Sequence, residues 1–169
     1  MGGLFPIHFK SEDSELKCGK EVSIDNLQKA YAMKYAIAKL NEDDKILPNV
    51  TLQARMFDTC RSQIISASHT REFIKMTIVR KTRVQLAGVV GAAVSDVSAK
   101  VASILQVFEI PQISHASTSV SLSEKDMYSY FLRTVPPDSF QAKAMVDICI
   151  KFGWTYVLTV NSEGIYAWN

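Results

Sequence analysis

An α/β fold, with a mostly parallel sheet and helices on both faces, is predicted for this chain by two observations. Short apolar runs alternate with longer segments of helical period along its 169 residues. Between Leu86 and Glu124 the order is strand, hydroxyl-bearing turn, helix, strand, hydroxyl-bearing turn. A helical crossover between two strands makes them parallel and right-handed, so both turns leave the same, carboxyl-terminal edge of one sheet.

Taken in order, residues 3–9 are an apolar strand candidate, and residues 11–21 are polar and loop-like. From Asp25 a helix is expected, with Leu27, Ala30, Met33, Ile37 and Leu40 marking one face. Asn41-Glu-Asp-Asp44 and Pro48 end it. Residues 50–57 read as the second strand and 61–76 as a helix with Ile64, Ile65, Phe73 and Ile74 among its apolar positions. Leu86-Ala-Gly-Val-Val-Gly91 is a short apolar run ending in glycine, as a buried parallel strand would. It breaks into Ala92-Ala-Val-Ser-Asp96, where Ser95 and Asp96 open a helical pattern through Phe108 and are candidates for plain helix capping. Ile110-Pro-Gln-Ile-Ser114 returns to strand before the second hydroxyl turn. Residues 130–135 form a further strand stopped by Pro136-Pro137, Asp138 suits the cap of a helix over 139–152, and residues 155–160 are a final strand.

The shared edge carries the functional expectation. Ligands of open α/β folds sit beyond the carboxyl ends of the strands, and helix amino ends there favour an anionic group. Composition allows an ordinary domain with a sizeable core, at 47% hydrophobic and 21% charged residues and a formal charge of +2. The one basic cluster, Arg80-Lys-Thr-Arg83, has no interleaved aromatics and reads as a solvated loop, so nucleic acid is not an expected partner. No apolar run reaches the roughly 18 to 20 residues a membrane helix needs, and the first eight residues do not read as a signal peptide. The apolar pattern starts at once, as in a piece of a longer protein.

Enzyme signatures are mostly missing. There is no Gly-x-Gly-x-x-Gly, no Walker loop and no Gly-x-Ser-x-Gly elbow. His8, His69 and His115 lack metal-ligand spacing. His115, at the end of a central strand, is expected either to line a site or to be a hydrogen-bonded core residue. Neither a cofactor nor a metal is expected. Cys18 and Cys60 can meet at one edge of the sheet, as a disulfide or as two buried free thiols, whereas Cys149 sits in an apolar helical stretch and packs as a small hydrophobe. Asn49-Val50-Thr51 is a glycosylation sequon, which beside a disulfide favours an extracellular setting.

Six segments then appear in order: Gly3-Leu-Phe-Pro-Ile-His8, Asp58-Thr-Cys-Arg61, Gly88-Val-Val-Gly91, Ile110-Pro-Gln-Ile-Ser-His-Ala-Ser-Thr-Ser119, the run from Phe131-Leu-Arg-Thr-Val-Pro-Pro-Asp138 to Met145, and Trp154-Thr-Tyr-Val157. Together they resemble the extracellular ligand-binding domain of metabotropic glutamate receptors, class C G-protein-coupled receptors, over essentially the whole chain to Tyr166. That domain has two lobes of periplasmic-binding-protein-like (type I) fold that close on an amino acid. The resemblance implies that residues 1–169 supply lobe 1 only, in a signal-transducing module on the outer face of the plasma membrane. The alternative is a soluble or periplasmic-type amino-acid-binding protein of the same fold, with a Rossmann-like enzyme a distant third.

The family's ligand residues carry over by position. Ser95 matches the serine that bonds the α-carboxylate, and Thr118 the threonine that contacts both α-groups. Ala116 matches a position offering its backbone, while Asp138 and Tyr166 match residues near the ammonium. The residue matching the arginine that grips the distal carboxylate is Lys29, which keeps the charge without the bidentate fork. Asp25 stands where a tyrosine is common, and Ala167-Trp-Asn169 replaces the usual Gly-Glu continuation. The family forms homodimers through lobe 1 helices, here around Ala67 to Ile74 and Ile104 to Val107. The loop between Ile78 and Gln85 lacks the linking cysteine, which implies at most a weak, noncovalent dimer. G protein would be reached only through regions outside this chain.

Overall fold

The computed structural model describes residues 1–14, 16–78 and 85–160; the Arg80 to Arg83 cluster and Tyr166 lie outside the described residues. The chain begins with β1 (Gly2–Phe5), followed by β2 (His8–Lys10) and β3 (Cys18–Val22), which form an antiparallel hairpin. There follow α1 (Ile24–Glu42), β4 (Arg55–Asp58), α2 (Gln63–Ile78), β5 (Val89–Val90) and α3 (Ser95–Leu105). A 3-10 turn (Gln106–Phe108) leads to β6 (Gln112–Ser114), and a second one (Val120–Ser123) to β7 (Phe131–Arg133) and α4 (Asp138–Phe152). The main sheet has the order β4-β1-β5-β6-β7, and every pairing in it is parallel. The predicted α/β class, with a parallel sheet flanked by helices, is therefore observed.

Strand alternation divides the core between the two faces. Leu4 and Val89 pack with Phe73, Ile74, Val97, Val101 and Leu105 from α2 and α3. Phe5, on the opposite face, packs with Ala30, Met33 and Ile37 of α1, joined at the margin by Val90 and Met56. The spacing of Ala30, Met33 and Ile37 is the helical stripe anticipated for α1. On α3, Val97, Val101 and Leu105 meet the sheet, whereas Ala99 and Ala102 turn toward Leu122 and Phe131. Phe73 and Ile74 are thus taken up by the core, and in this stretch Val107 is left exposed.

Three expectations need correction. Residues 11–21 are not simply a loop: Cys18–Val22 is a strand, paired with His8–Lys10. Its side chains are largely exposed, so no apolar alternation announced it. Residues 155–160 form no strand; Tyr156, Leu158 and Val160 are exposed, and a strand needs a neighbouring ladder that the described residues do not supply. Cys149 is a free thiol on α4, a helix none of whose residues is buried, and so it does not pack in a core.

Helix α4 has an immediate consequence. Phe140, Ile150 and Phe152 are 67%, 73% and 62% exposed, and Trp154 beyond the helix stacks on Phe152. An apolar surface of this kind promotes association. The isolated chain should bind a hydrophobic dye and self-associate, and Ile150→Glu with Phe152→Lys should improve solubility while leaving the thermal midpoint within about 4 °C, since surface changes seldom exceed about ±0.5 kcal/mol each. A large drop in that midpoint would mean that α4 is packed after all.

The route of the chain locates a crevice. From β1 it crosses by α1 to β4 on one side, then by α2 to β5 on the other side of β1. The strand order reverses between β1 and β5, and beyond their carboxyl ends lies the topological switch point where open α/β sheets bind ligands.

Candidate functional site

The turn after β5 is held by hydroxyls. Gly91, at φ +114°, starts it, and the carbonyls of residues 91–93 point inward where backbone acceptors require partners. Gln112 Nε2 donates to Gly91 O at 2.9 Å, and Ser114 and Ser98 donate to Ala92 O at 2.6 and 3.1 Å. Ser117 Oγ reaches Ala93 O at 3.3 Å and shares a 2.7 Å hydrogen bond with Ser98 Oγ. Sequence reasoning singled out none of Ser98, Gln112 and Ser117 as site-building. Their only signal was the density of hydroxyls after two successive strands.

Above this layer lie the expected ligand residues. Ser95 is the first residue of α3, buried to 5% exposure, with Val94 in the cap position. It does not cap the helix; its Oγ accepts the Ser119 N–H at 3.3 Å instead. Thr118 O accepts the backbone N–H of Asp138 at 2.9 Å, and the Ala116 N–H donates to Ser114 Oγ at 3.3 Å. Asp138 is itself not the cap of α4. Pro137, with the extended backbone of a cap residue, takes that position, so Asp138 falls one residue inside the helix. Asp138 Oδ2 and Asp96 Oδ1 are both shielded from solvent without a hydrogen-bond partner.

Arg133 stitches the second turn together, donating to Ser119 O at 2.8 Å and contacting the Ser123 hydroxyl. Burial disfavours its charge and the Asp138 carboxylate favours it. Ser119 thus links Ser95 to Arg133, while Asp138 is tied to Thr118; sequence reasoning had put neither Ser119 nor Arg133 in the candidate site.

Lys29 is not part of that hydrogen-bonded cluster. It lies exposed on α1, 3.5 Å from Asn26 Oδ1, and lines a cavity of about 440 Å³ with Phe5, Met33, Val90 and His115. Phe5 and Val90 are the last residues of β1 and β5, so this cavity opens at the switch point. The His115 ring stacks on Phe5 at 5.6 Å, and both its nitrogens are shielded without a partner. Burial first, and the Lys29 charge second, hold the imidazole below its ordinary pKa. Of the two alternatives for His115, the structure gives the cavity-lining one.

Elsewhere, Cys18 and Cys60 are joined in a disulfide with Cα atoms 5.3 Å apart, which resolves the choice between a bridge and free thiols. Asn49 is exposed in a turn at φ 63°, a conformation asparagine tolerates, with Thr51 also exposed. His8 contacts Asp58 through Nδ1 at 2.5 Å and His69 stacks on Phe57 at 4.4 Å, so neither shares a site with His115. Among the described residues no helix is long and apolar enough to cross a membrane.

Comparison with known families agrees with this geometry. The model of the receptor family ligand binding region matches residues 28–168, from α1 through the hydroxyl turns and α4. With most of its length matched and a parallel sheet bearing a polar crevice at its carboxyl edge, the chain belongs to the receptor family ligand-binding regions, extracellular modules that bind a ligand.

Proposed function

We propose that this chain is lobe 1 of an amino-acid-sensing ectodomain of a class C G-protein-coupled receptor resembling the metabotropic glutamate receptors, and that it acts by binding and not by catalysis. One observation carries the reading: Ser95, Ala116, Thr118 and Asp138 converge at the carboxyl edge of the sheet, and two carboxylate oxygens there lack partners. The amides that open α3 and the Ser95 hydroxyl suit an α-carboxylate, because unpaired N–H groups and the helix dipole both favour an anion. The Asp138 carboxylate and the Ala116 carbonyl suit an α-ammonium. The ligand side chain would extend toward Lys29, a second lobe would close over it, and Asn49 would carry glycan. Homodimerisation would use the exposed Val107 region, since Phe73 and Ile74 are occupied internally.

In the complete two-lobed protein, Ser95→Ala and Thr118→Ala should each weaken amino-acid binding by about 1 to 3 kcal/mol, the cost of leaving a polar group unmet. Calorimetric titration of both variants is the test. Unchanged affinity in the two, with the fold intact by circular dichroism, removes these residues from the site.

A further inference from the structure

The switch-point cavity has a polar end that the proposed α-carboxylate and α-ammonium contacts do not use. We infer that His115 is a specificity-determining residue, forming with Lys29 a proton-linked subsite for the distal anionic group of the ligand. The inference rests on the amino-acid-binding reading and adds to it a residue and a mechanism.

Three features converge on His115. Its two ring nitrogens are shielded and unpartnered, an expensive condition for an imidazole unless a further group satisfies one of them. It shares a cavity of about 440 Å³, enough for a small organic side chain, with the Lys29 ammonium. The remaining walls, among them Phe5, Met33, Ala36 and Val90, are apolar and suit a short aliphatic spacer. The Lys29 ammonium suits an anionic tip and the apolar walls suit the aliphatic spacer that would join it to an α-amino-acid head. His115 stands three residues before Thr118, so one turn carries contacts for both ends of such a molecule.

The charge state follows from the neighbours. Lys29 on α1 is the one charged group shown to act on His115; the β1 and β5 residues packed against it, Phe5 and Val90, carry none. Without ligand, burial and Lys29 keep the imidazole neutral at pH 7, a donor at one nitrogen and an acceptor at the other. An anion placed between the two cations favours the protonated form, so binding draws a proton from solvent onto His115. The sign is fixed: the bound-state pKa exceeds the free-state pKa. Affinity for an anionic-tipped ligand therefore rises as pH falls through the bound-state value and levels off below the free-state value. Its isosteric neutral analogue gains nothing. A lysine offers one point charge where a fork would offer two directed bonds, and an imidazolium supplies the second donor.

The test is an NMR titration of the complete two-lobed protein, selectively labelled, with L-glutamate and, separately, L-glutamine, following the His115 ring carbon-bound protons and the Ser95 and Thr118 amides from pH 5 to 8. Glutamate should raise the His115 pKa by about 1 unit, corresponding to an affinity up to about tenfold higher at low pH. Glutamine should shift the amides while leaving that pKa unchanged. His115→Gln should abolish the pH dependence and narrow the preference for glutamate over glutamine. If glutamate moves the Ser95 and Thr118 amides but not the His115 pKa, the subsite is wrong and the binding reading stands. If neither amino acid at saturating concentration moves those amides, the binding reading fails and the subsite with it.

Discussion

Gly91→Ala should destabilise the chain by at least about 3 kcal/mol, a large share of the roughly 5 to 15 kcal/mol that keeps an ordinary domain folded. A Cβ built on Gly91 would sit 2.1 Å from Leu4 O, an oxygen of the neighbouring central strand that cannot rotate away as a side chain could. The residue also lies at φ +114°, where L side chains rarely go. Relief would require β1 and β5 to part at the switch point, opening the contacts of Leu4 and Val89 in the larger core cluster. Gly153→Ala is the matched control. It too has a positive φ, +66°, but nothing lies within 4 Å of the added carbon, so only about 1 kcal/mol of left-handed strain is expected. Urea denaturation of the two variants measures the difference. Equal midpoints would mean that the β1–β5 contact is looser than described.

How much of this arrangement could be read in the sequence depends on which interaction decides each element. The strand–helix alternation, the apolar stripe of α1 and the placement of two hydroxyl turns at one edge were legible, because each follows from burial of a periodic apolar face. The β2–β3 hairpin was not, because its exposed side chains carry no such period and its position is set by a covalent bond and by the Asp58 carboxylate. Residues 155–160 have strand-like composition, but a ladder depends on a partner and not on composition. Ser95, Ala116, Thr118 and Asp138 of the candidate site came from resemblance, not from any periodic pattern. Ser98, Gln112 and Ser117 escaped notice because they answer the inward-turned carbonyls of residues 91–93, and carbonyl direction leaves no periodic trace in sequence. Asp138 was misjudged as a cap for a local reason. Pro137 is preset for extended backbone and takes the cap position, which leaves the Asp138 carboxylate unused by its own helix.

Cys60→Ser should cost about 4 kcal/mol, the entropy released when a loop of this size is no longer closed in the unfolded chain. The bridge joins residues separated by 42 positions, and Cys60 is fully buried while Cys18 is exposed on β3. A serine hydroxyl left in that buried position would add to the loss. The damage should also be local in its first stage. A two-stranded hairpin has little stability of its own, and β2–β3 is tied to the domain by this bond and by Asp58, whose carboxylate accepts the N–H groups of Ile7, His8 and Cys60 at 2.9, 3.0 and 2.9 Å. The start of α1 hangs on the same segment through Ser23 N–H to Ile7 O at 2.7 Å. Amides of residues 8–22 in Cys60→Ser should therefore exchange with solvent well before those of β5 and β6, and the urea midpoint should fall. In wild-type protein produced through a secretory route, peptide mapping without reduction should recover a linked Cys18–Cys60 peptide and an alkylated Cys149. Recovery of Cys18 and Cys60 both as alkylated thiols would count against the bridge and against the extracellular setting. A linked pair with Cys60→Ser as stable as wild type would leave the covalent structure standing and refute the claim that the bridge secures the hairpin.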